Sequence, residues 1–382
     1  MQLSATLSSN CGLRTVFTYF PSRLQAHPHS WSCRSWISSL LLSPTTTRII
    51  HSYVFPLRVM LIAIHRRWSV ISASALLLAT AAEAQVWNLT DTYSGNTFSN
   101  QWNYWGDTNT TGTDPTHGLV KFVGKSAAQA SNLTYVDQQG IFHARVDTTP
   151  VQLEGRPSVR MTSKKTFEDG IIVMNVTHIP IGCSVWPAIW MVNPNTDTYP
   201  KGGEIDILEN ANVADTGSNL VSLHTANSCI LSNQKQTGVT DLTQCQVDYA
   251  TGNTGCRVEM NQTNSPTWGK SFNDAGGGVF VMERSLGSAG NGVRVWHWSQ
   301  SQAPASVKSG SQSLDVSTFG TPASDMPIAN MCHSDCGSLA LVLDITLCGD
   351  WAGQTYNQSG CNLQFPACSF QVGYNGSSYN QS

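Results

Sequence analysis

Short runs of β-branched and aromatic residues recur along most of this 382-residue chain, whereas helical periodicity is scarce. Clusters of Gly, Asn, Asp and Pro separate the runs, as turns separate strands in all-β proteins. This pattern predicts an antiparallel sandwich or barrel. The predicted strands are Leu119–Val123, Ile141–Val146, Ile171–Val176, Ala188–Val192, Val221–His224, Gly278–Met282, Val293–Trp298 and Leu339–Thr346.

Charge narrows the class of protein further. Charged residues make up 12 % of the chain, about half of the usual quarter, which argues against a charge-rich disordered chain and a long coiled coil. Residues 1–84 hold seven Arg and a single acidic residue, Glu83, so the remainder holds 14 basic and 23 acidic residues. An acidic body argues against nucleic acid and acidic polymers as partners.

The N-terminal stretch has the composition of a leader. Met60 is followed by the basic stretch 65–67, the apolar stretch 69–80 and the small-residue site Ala82-Glu83-Ala84, which is the order found in secretory signal peptides. The apolar stretch is too short to remain as a membrane span.

We therefore predict three parts. Residues 1–59 are an upstream extension outside the mature fold, residues 60–84 are a signal peptide, and residues 85–382 are the mature domain. Residues 1–59 contain many Ser, several Arg and no acid, so a mitochondrial transit peptide is the alternative for them.

Sequons and cysteines agree with secretion. The N-x-S/T sequons support secretion only weakly, because a polar chain rich in Asn and Thr matches this pattern by chance. They lie at Asn88, Asn109, Asn132, Asn175, Asn261, Asn357, Asn375 and Asn380. Nine of the eleven cysteines lie in the body with wide spacing, as in a secreted disulfide framework. We expect Cys183, alone among apolar neighbours, to be the unpaired thiol. Zinc is the alternative for Cys332 and Cys336, although no second close pair completes a tetrahedral set.

Acidic side chains are densest in the segment E-I-D-I-L-E at residues 204–209. Period two places Glu204 and Asp206 on one face of a strand and gives Glu209 the opposite parity. A one-residue bulge at residues 207–208 would return Glu209 to their face, and bulges often lie beside active sites. Three carboxylates on one face repel each other, so at least one pKa should be raised. Two such acids in different environments can serve as nucleophile and proton donor at a glycosidic bond.

Two other interpretations of this segment remain open. A calcium site would use the same carboxylates, although the segment lacks the loop-like Asn and Gly spacing of such sites. A solvated acidic strand is the other, although the aliphatic residues between the acids indicate one buried face and one working face. We predict no metal and no other cofactor.

Upstream of the acids lies W-P-A-I-W, which holds Trp186 and Trp190. Sugar rings present apolar C–H faces, and an indole ring offers a flat partner with a polar N–H at its edge. Trp in a β-protein belongs to the core at least as often, so each of these residues also has a structural interpretation.

Together these motifs closely resemble the laminarinase-type branch of glycoside hydrolase family 16, especially its secreted fungal endo-β-1,3(4)-glucanases. The resemblance extends from about Trp87 to about Gln381. The segments that carry it are W-P-A-I-W and G-E-I-D-I-L-E together with residues 114–118 (D-P-T-H-G), 155–160, 223–225 with Cys229, 276–283 and 348–353.

The resemblance implies a jelly roll of two curved antiparallel sheets, with a concave cleft for a glucan chain and retention of anomeric configuration. It implies that Glu204 is the nucleophile, Glu209 the general acid/base, and Asp206 the residue that tunes their protonation. It also implies substrate-binding roles for other residues that line the cleft. These are Arg160, Trp186, Trp190, Tyr199, His224 and Trp351, with a place in the core as the alternative for Trp186.

Several positions depart from the family pattern. Tyr199 and Arg284 stand where Trp is frequent, Lys121 where Asn is common, and Asn210 where Gly is common. These changes bear on subsite preference and leave the three acids intact. The family continues past Tyr379-Asn380-Gln381 into a further strand, so we expect this domain to lack its last strand.

The leading functional hypothesis is a secreted, monomeric endo-hydrolase of β-1,3- or mixed β-1,3/1,4-glucan with no membrane span in the mature protein. A glucan transglycosylase using the same carboxylates is the alternative enzyme. A carbohydrate-binding lectin is the third class, and the presence of all three acids argues against it.

Overall fold

The computed structural model describes residues 85–381, except residues 110, 214, 262–264, 287–289 and 328–335, and the backbone of residues 2–3 and 17–21. The predicted signal peptide and Cys332 lie outside the described residues. Strands dominate the described part, which confirms the all-β class. No helix in it is long and apolar enough to cross a membrane.

Each predicted strand is present, and most extend by a few residues beyond the apolar run that identified them. The strands are β1 (Gln2–Leu3), β2 (Phe17–Pro21), β3 (Val86–Asn88), β4 (Asp91–Tyr93), β5 (Trp102–Tyr104), β6 (Val120–Phe122), β7 (Thr134–Val136), β8 (Phe142–Ala144), β9 (Arg156–Ser158), β10 (Arg160–Phe167), β11 (Gly170–His178), β12 (Val185–Val192), β13 (Glu204–Glu209), β14 (Thr216–Gly217), β15 (Leu220–His224), β16 (Val239–Leu242), β17 (Cys256–Glu259), β18 (Gly278–Ser285), β19 (Gly292–Ser299), β20 (Ser313–Asp315), β21 (Ser324–Met326) and β22 (Leu339–Leu347).

Helices are short and lie in the connections. The α-helices are α1 (Trp105–Thr108), α2 (Lys125–Ala130), α3 (Gly269–Asp274), α4 (Ala305–Lys308) and α5 (Cys368–Tyr374). Single helical turns of other types occur at Gly95–Gln101, Thr196–Thr198, Val316–Phe319, Gly349–Gly353, Cys361–Leu363 and Gly376–Gln381.

Two large antiparallel sheets form the body. The front sheet has the strand order β16-β17-β15-β13-β12-β22-β10-β5. The back sheet has the order β21-β19-β18-β11-β1-β8-β7, and β2 links β11 to β4. The sequence neighbours β12 and β13 pair directly, whereas β22 joins them across more than 100 residues of chain.

The main core lies between the two sheets. In β22, Leu341, Leu343 and Ile345 are buried in that core, so period two turns Asp344 and Thr346 to the other face of the front sheet. Each such buried aliphatic side chain contributes roughly 1.5–3 kcal/mol to folding. The front sheet is thus apolar on its inner face and polar on its outer face.

A second apolar cluster covers the outer face of the back sheet. Trp87 and Trp296 are buried there, and the fully buried Glu283 accepts hydrogen bonds from Trp87 Nε1 (3.0 Å) and Arg294 Nε (2.7 Å). The back sheet is therefore buried on both sides, whereas the outer face of the front sheet carries the polar side chains described below.

Two strands of the N-terminal segment occupy places in the back sheet. Backbone pairing joins β1 and β2 to β11. That residues 1–59 are absent from the mature fold stays a prediction. Cleavage before Gln85 stays a prediction.

Cysteine pairing corrects one expectation. Cys183 is bonded to Cys361 and is not the free thiol that its isolation in the sequence indicated. Their sequence separation of 178 residues explains why local spacing gave no sign of the pair. The other disulfides between described residues are Cys245–Cys256 and Cys348–Cys368.

One sequon is unsuited to carry a glycan in this fold. Asn175 is buried in β11, and its Oδ1 accepts a hydrogen bond from Gln300 Nε2 at 2.6 Å. Most of the other sequon asparagines are exposed, including Asn88, Asn132 and Asn357.

Candidate active site

The predicted bulge is present in β13. Trp190 of β12 pairs with Asp206, but the preceding residue of β12, Ile189, pairs with Leu208, so Ile207 is an additional residue in β13. Ile207 and Leu208 both lie in the core between the sheets. Two consecutive inward residues reverse the parity of the strand, which brings the third carboxylate of the motif back to the outer face.

A buried amide holds the two sides of this bulge. Asn219 is fully buried, its Nδ2 donates to Ile207 O at 2.8 Å, and its Oδ1 accepts from Glu209 N at 2.9 Å. The bulge removes these two backbone groups from ordinary ladder pairing, and a buried group without a partner is costly. Asn219 therefore stabilises the backbone geometry that presents Glu209.

The three acids of β13 form one electrostatic unit. Burial raises the pKa of Glu204 and Asp206, and the charge of Asp206 raises that of Glu204 further. Burial also raises the pKa of Glu209 to about 8, with repulsion from Asp206 as the second cause. The sequence-based expectation that at least one pKa is raised is confirmed for all three.

His224 connects Asp206 with the neighbouring loop. Its Nε2 lies 2.8 Å from Asp206 Oδ2 and 3.6 Å from Glu204 Oε1, and its Nδ1 is hydrogen-bonded to Thr254 O. Because a carbonyl oxygen only accepts, Nδ1 carries a proton. A proton must then lie between Nε2 and Asp206, either on the imidazole or on the carboxyl group.

An indole ring contacts Glu209. Trp186 Nε1 donates to Glu209 Oε1 at 2.7 Å, which favours the carboxylate and opposes the effect of burial on the pKa. The ring of Trp351 meets that of Trp186 edge to face, with centroids 5.7 Å apart. Trp186 is only partly buried, so it is a wall of the site and not a core residue.

Arg160 is stacked between two indole rings. Its guanidinium carbon lies 4.9 Å from the ring centroid of Trp190 and 5.2 Å from that of Trp105. Asp344 completes the group, because its carboxylate accepts from Arg160 Nη1 (3.2 Å) and Trp190 Nε1 (3.3 Å). Burial raises the pKa of Asp344 to about 6, and Arg160 opposes that shift.

Sequence reasoning missed Trp105, Asp344 and Asn219. Asp344 did leave a signal, since it is a charged residue at an outward position of a strand that is otherwise largely aliphatic. Asp114 of the D-P-T-H-G segment also contacts the outer face of β22, because its Oδ2 accepts a hydrogen bond from Thr346 Oγ1 at 2.8 Å.

Tyr199 is partly exposed and faces the acids. Burial raises its pKa, and the charges of Glu204 and Asp206 raise it further. Among the other departures from the family pattern, Asn210 donates to Ser218 O at 2.8 Å beside the bulge. Lys121 is exposed, whereas Arg284 is buried and donates to Cys336 O at 2.7 Å.

One corner of the site also meets the spacing for a cation. Glu204, Asp206 and His224 each offer one ligand atom, and these atoms lie within 4.8 Å of one another. The calcium interpretation considered from the sequence therefore keeps a geometric basis. The same short distances also allow these three side chains to share a proton, and that sharing requires no metal.

Comparison with known proteins identifies the family. The model of the XgeA-like catalytic domain of glycoside hydrolase family 16 matches residues 102–382. The chain belongs to glycoside hydrolase family 16. A probable endo-1,3(4)-β-glucanase of Aspergillus fumigatus is 36 % identical over 306 residues, which are 78 % of this chain and 44 % of the relative. The family 16 chain described here thus spans less than half the length of that curated relative.

Two solved structures of family 16 match nearly over their full length. One is Laminarinase 16A from Phanerochaete chrysosporium with β-glucans in its donor and acceptor sites, at 32 % identity and a TM-score of 0.69. The other is an elongating β-1,3-glucosyltransferase, at 32 % identity and a TM-score of 0.68. Each match covers 78 % of this chain and 96 % of the solved chain. This likeness confirms the predicted jelly-roll sandwich.

We predict that Asn219→Ala disturbs the bulge. It leaves Ile207 O and Glu209 N without their buried partner, at a cost of about 1–3 kcal/mol for each group. We expect a lower free energy of unfolding in urea, and a kcat that falls more than tenfold with little change in KM. Asn210→Ala is the matched control, since it removes two side-chain hydrogen bonds next to Glu209 but leaves those of Asn219 intact. Wild-type kcat and stability in Asn219→Ala would contradict the role of Asn219.

We also predict that Trp186→Phe shifts the pH profile. The hydrogen bond from Trp186 favours ionised Glu209, so its loss raises the pKa of Glu209 and keeps the acid form to higher pH. A hydrogen bond to a charged group is worth about 1.5–3 kcal/mol, and about 1.4 kcal/mol corresponds to one pKa unit. The alkaline limb of kcat/KM should therefore move upward by about one pH unit. An unchanged or lowered limb would show that Trp186 does not act on Glu209 in this way.

Proposed function

We propose that this protein is a secreted, retaining endo-β-glucanase that hydrolyses β-1,3- or mixed β-1,3/1,4-glucan. The observation that carries the proposal is the bulge in β13, which brings Glu204, Asp206 and Glu209 to one face between aromatic walls. The relatives named as glucanases and the laminarinase structure support the same substrate class.

In the proposed first step, the Glu204 carboxylate attacks the anomeric carbon of a glucosyl unit and Glu209 gives its proton to the leaving glycosidic oxygen. A glycosyl ester on Glu204 and a shortened glucan chain result. Water then attacks the anomeric carbon, Glu209 takes the proton of that water, and the carboxylate of Glu204 leaves. Two displacements at one carbon retain its configuration.

The first step needs Glu204 ionised and Glu209 protonated. His224 and Arg160 both favour the ionised form of Glu204, because their positive charges lower its pKa against the effect of burial. Burial and the charge of Asp206 raise the pKa of Glu209, which favours the protonated form that this acid needs in the first step. The proton shared by Asp206 and His224 offsets one negative charge beside Glu204, which makes an ionised Glu204 less unfavourable.

A glucan transglycosylase is the second candidate, and the match to a β-1,3-glucosyltransferase favours it. The two activities share every step up to the glycosyl ester. They differ in whether water or a sugar hydroxyl group attacks that ester.

Two tests address this function. Glu204→Gln should remove hydrolysis of laminarin while the protein stays folded, since the amide keeps the shape but forms no glycosyl ester. Its Tm should equal or exceed that of the wild type, because one buried charge is lost. Glu154→Gln, at an exposed acid, is the matched control. Near-wild-type turnover by Glu204→Gln would refute the assignment.

Azide and product analysis sharpen this test. Glu204→Ala with azide should yield an α-glucosyl azide, because azide fills the space left by the carboxylate. Comparing laminarin, lichenan and cellulose establishes the linkage, and product lengths at high oligosaccharide concentration separate hydrolysis from transfer. Activity that is lost with a chelator and restored by calcium would favour the cation interpretation of the Glu204, Asp206 and His224 corner.

Secretion rests on the leader pattern, the disulfides and the exposed sequons. We predict that secreted protein begins near Gln85 and behaves as a monomer. N-terminal sequencing of material from the culture medium measures the start, and a mature start within residues 1–59 would contradict the predicted signal peptide.

A further inference from the structure

A short loop beside the site is closed by its own disulfide. Cys245 and Cys256 are bonded, and we call residues 245–256 the disulfide loop. Within it, Asp248 and Asn253 exchange backbone hydrogen bonds of 2.8 and 3.0 Å, and Asn253 Nδ2 donates to Gln244 O at 3.1 Å. These bonds brace the tip of the loop.

The base of the disulfide loop is packed against His224. Thr254 O is the hydrogen-bond partner of His224 Nδ1. At Gly255, which has φ of +129°, an added Cβ would lie 2.6 Å from His224 Nδ1 and 2.7 Å from Leu223 O. Since no side chain fits there, the loop lies directly on the residue that contacts Asp206 and Glu204. Its position relative to the three acids is therefore defined.

The tip of this loop presents an aromatic ring at the edge of the site. Tyr249 is 76 % exposed, although it lies on a braced segment. Its phenol is close enough to that of Tyr199 to act on it electrostatically, and Tyr199 in turn interacts with Glu204 and Asp206. Tyr199 and Tyr249 thus lie within electrostatic reach of each other on the side of the site where the disulfide loop packs against His224.

We propose that Tyr249 forms a distal subsite of the front sheet, where its ring stacks on a glucosyl unit beyond those held by Tyr199. A single exposed aromatic residue is ordinary on a protein surface. This one is distinguished by its braced loop, by the contact of that loop with His224, and by its place next to Tyr199. A tyrosine ring supplies an apolar face for the C–H face of a sugar and a hydroxyl group for its polar rim. The proposal rests on the proposed function, because it requires a β-glucan chain on this face.

The test compares chain lengths. For the full-length protein, Tyr249→Ala should lower kcat/KM for a β-1,3-linked heptasaccharide about fivefold more than for the trisaccharide, as expected for the loss of one stacked ring. Tyr249→Phe should keep most of the heptasaccharide activity, since the ring remains. Tyr374→Ala is the control, because Tyr374 is also exposed but is stacked on Phe370 in α5.

Binding separates this proposal from the proposed reaction. In the Glu204→Gln background, calorimetry should show that Tyr249→Ala weakens heptasaccharide binding about fivefold more than trisaccharide binding. If the wild type cleaves no oligosaccharide but this difference persists, the reaction is refuted and the subsite stands. Equal losses for both lengths, no loss for either, or no binding of either oligosaccharide would overturn the subsite.

Discussion

The site depends on the two hydrogen bonds between the Asn219 side chain and the backbone on either side of the bulge, one donated to Ile207 O and one accepted from Glu209 N. A regular strand would place Glu209 on the inner face, among the aliphatic side chains that join the sheets. Burying a carboxylate there without partners costs more than one missing backbone pairing. The extra residue Ile207 avoids that outcome, because it adds an apolar side chain to the core and reverses the parity of the strand at the same time.

This arrangement destabilises the ionised acids, because it holds three carboxyl groups together in a poorly solvated place. Their folded pKa values lie above the ordinary carboxyl range of about 4. Below the pKa of the unfolded chain, such an acid is protonated in both states and does not affect stability. As the pH rises from that value to the folded pKa, about 8 for Glu209, the unfolded chain ionises more readily and the free energy of unfolding falls. The surrounding Arg160, His224 and Trp186 counter part of this effect. The same groups decide which acid holds the proton, so stability and protonation are controlled by one set of contacts.

Eight strands and the acid trio were predictable from the sequence, because each shows as a local pattern of residue types. Runs of β-branched and aromatic residues identified each predicted strand, and the parity of Glu209 indicated where a bulge would return it to the face of the other acids. Contacts between residues that are far apart in the sequence could not be predicted. Asp344 meets Arg160 across 184 residues, and Cys183 meets Cys361 across 178. Which residues lie opposite each other depends on sheet order and register, and neither is visible in a spacing pattern.

The division between scaffold and loops bears on the reaction itself. The acids, Trp186, Trp190 and Arg160 all lie on strands of the front sheet, where neighbouring strands fix their positions. Trp351 lies in the turn Gly349–Gly353, and a hydrogen bond from Asp350 N to Thr116 O holds that turn against the D-P-T-H-G segment. A glucosyltransferase and a laminarinase match this chain equally well, so the shared strands do not decide between transfer and hydrolysis. In the proposed mechanism, that choice depends on whether a sugar hydroxyl group or water reaches the glycosyl ester first, and we propose that the loops around Trp351 and Tyr199 control it.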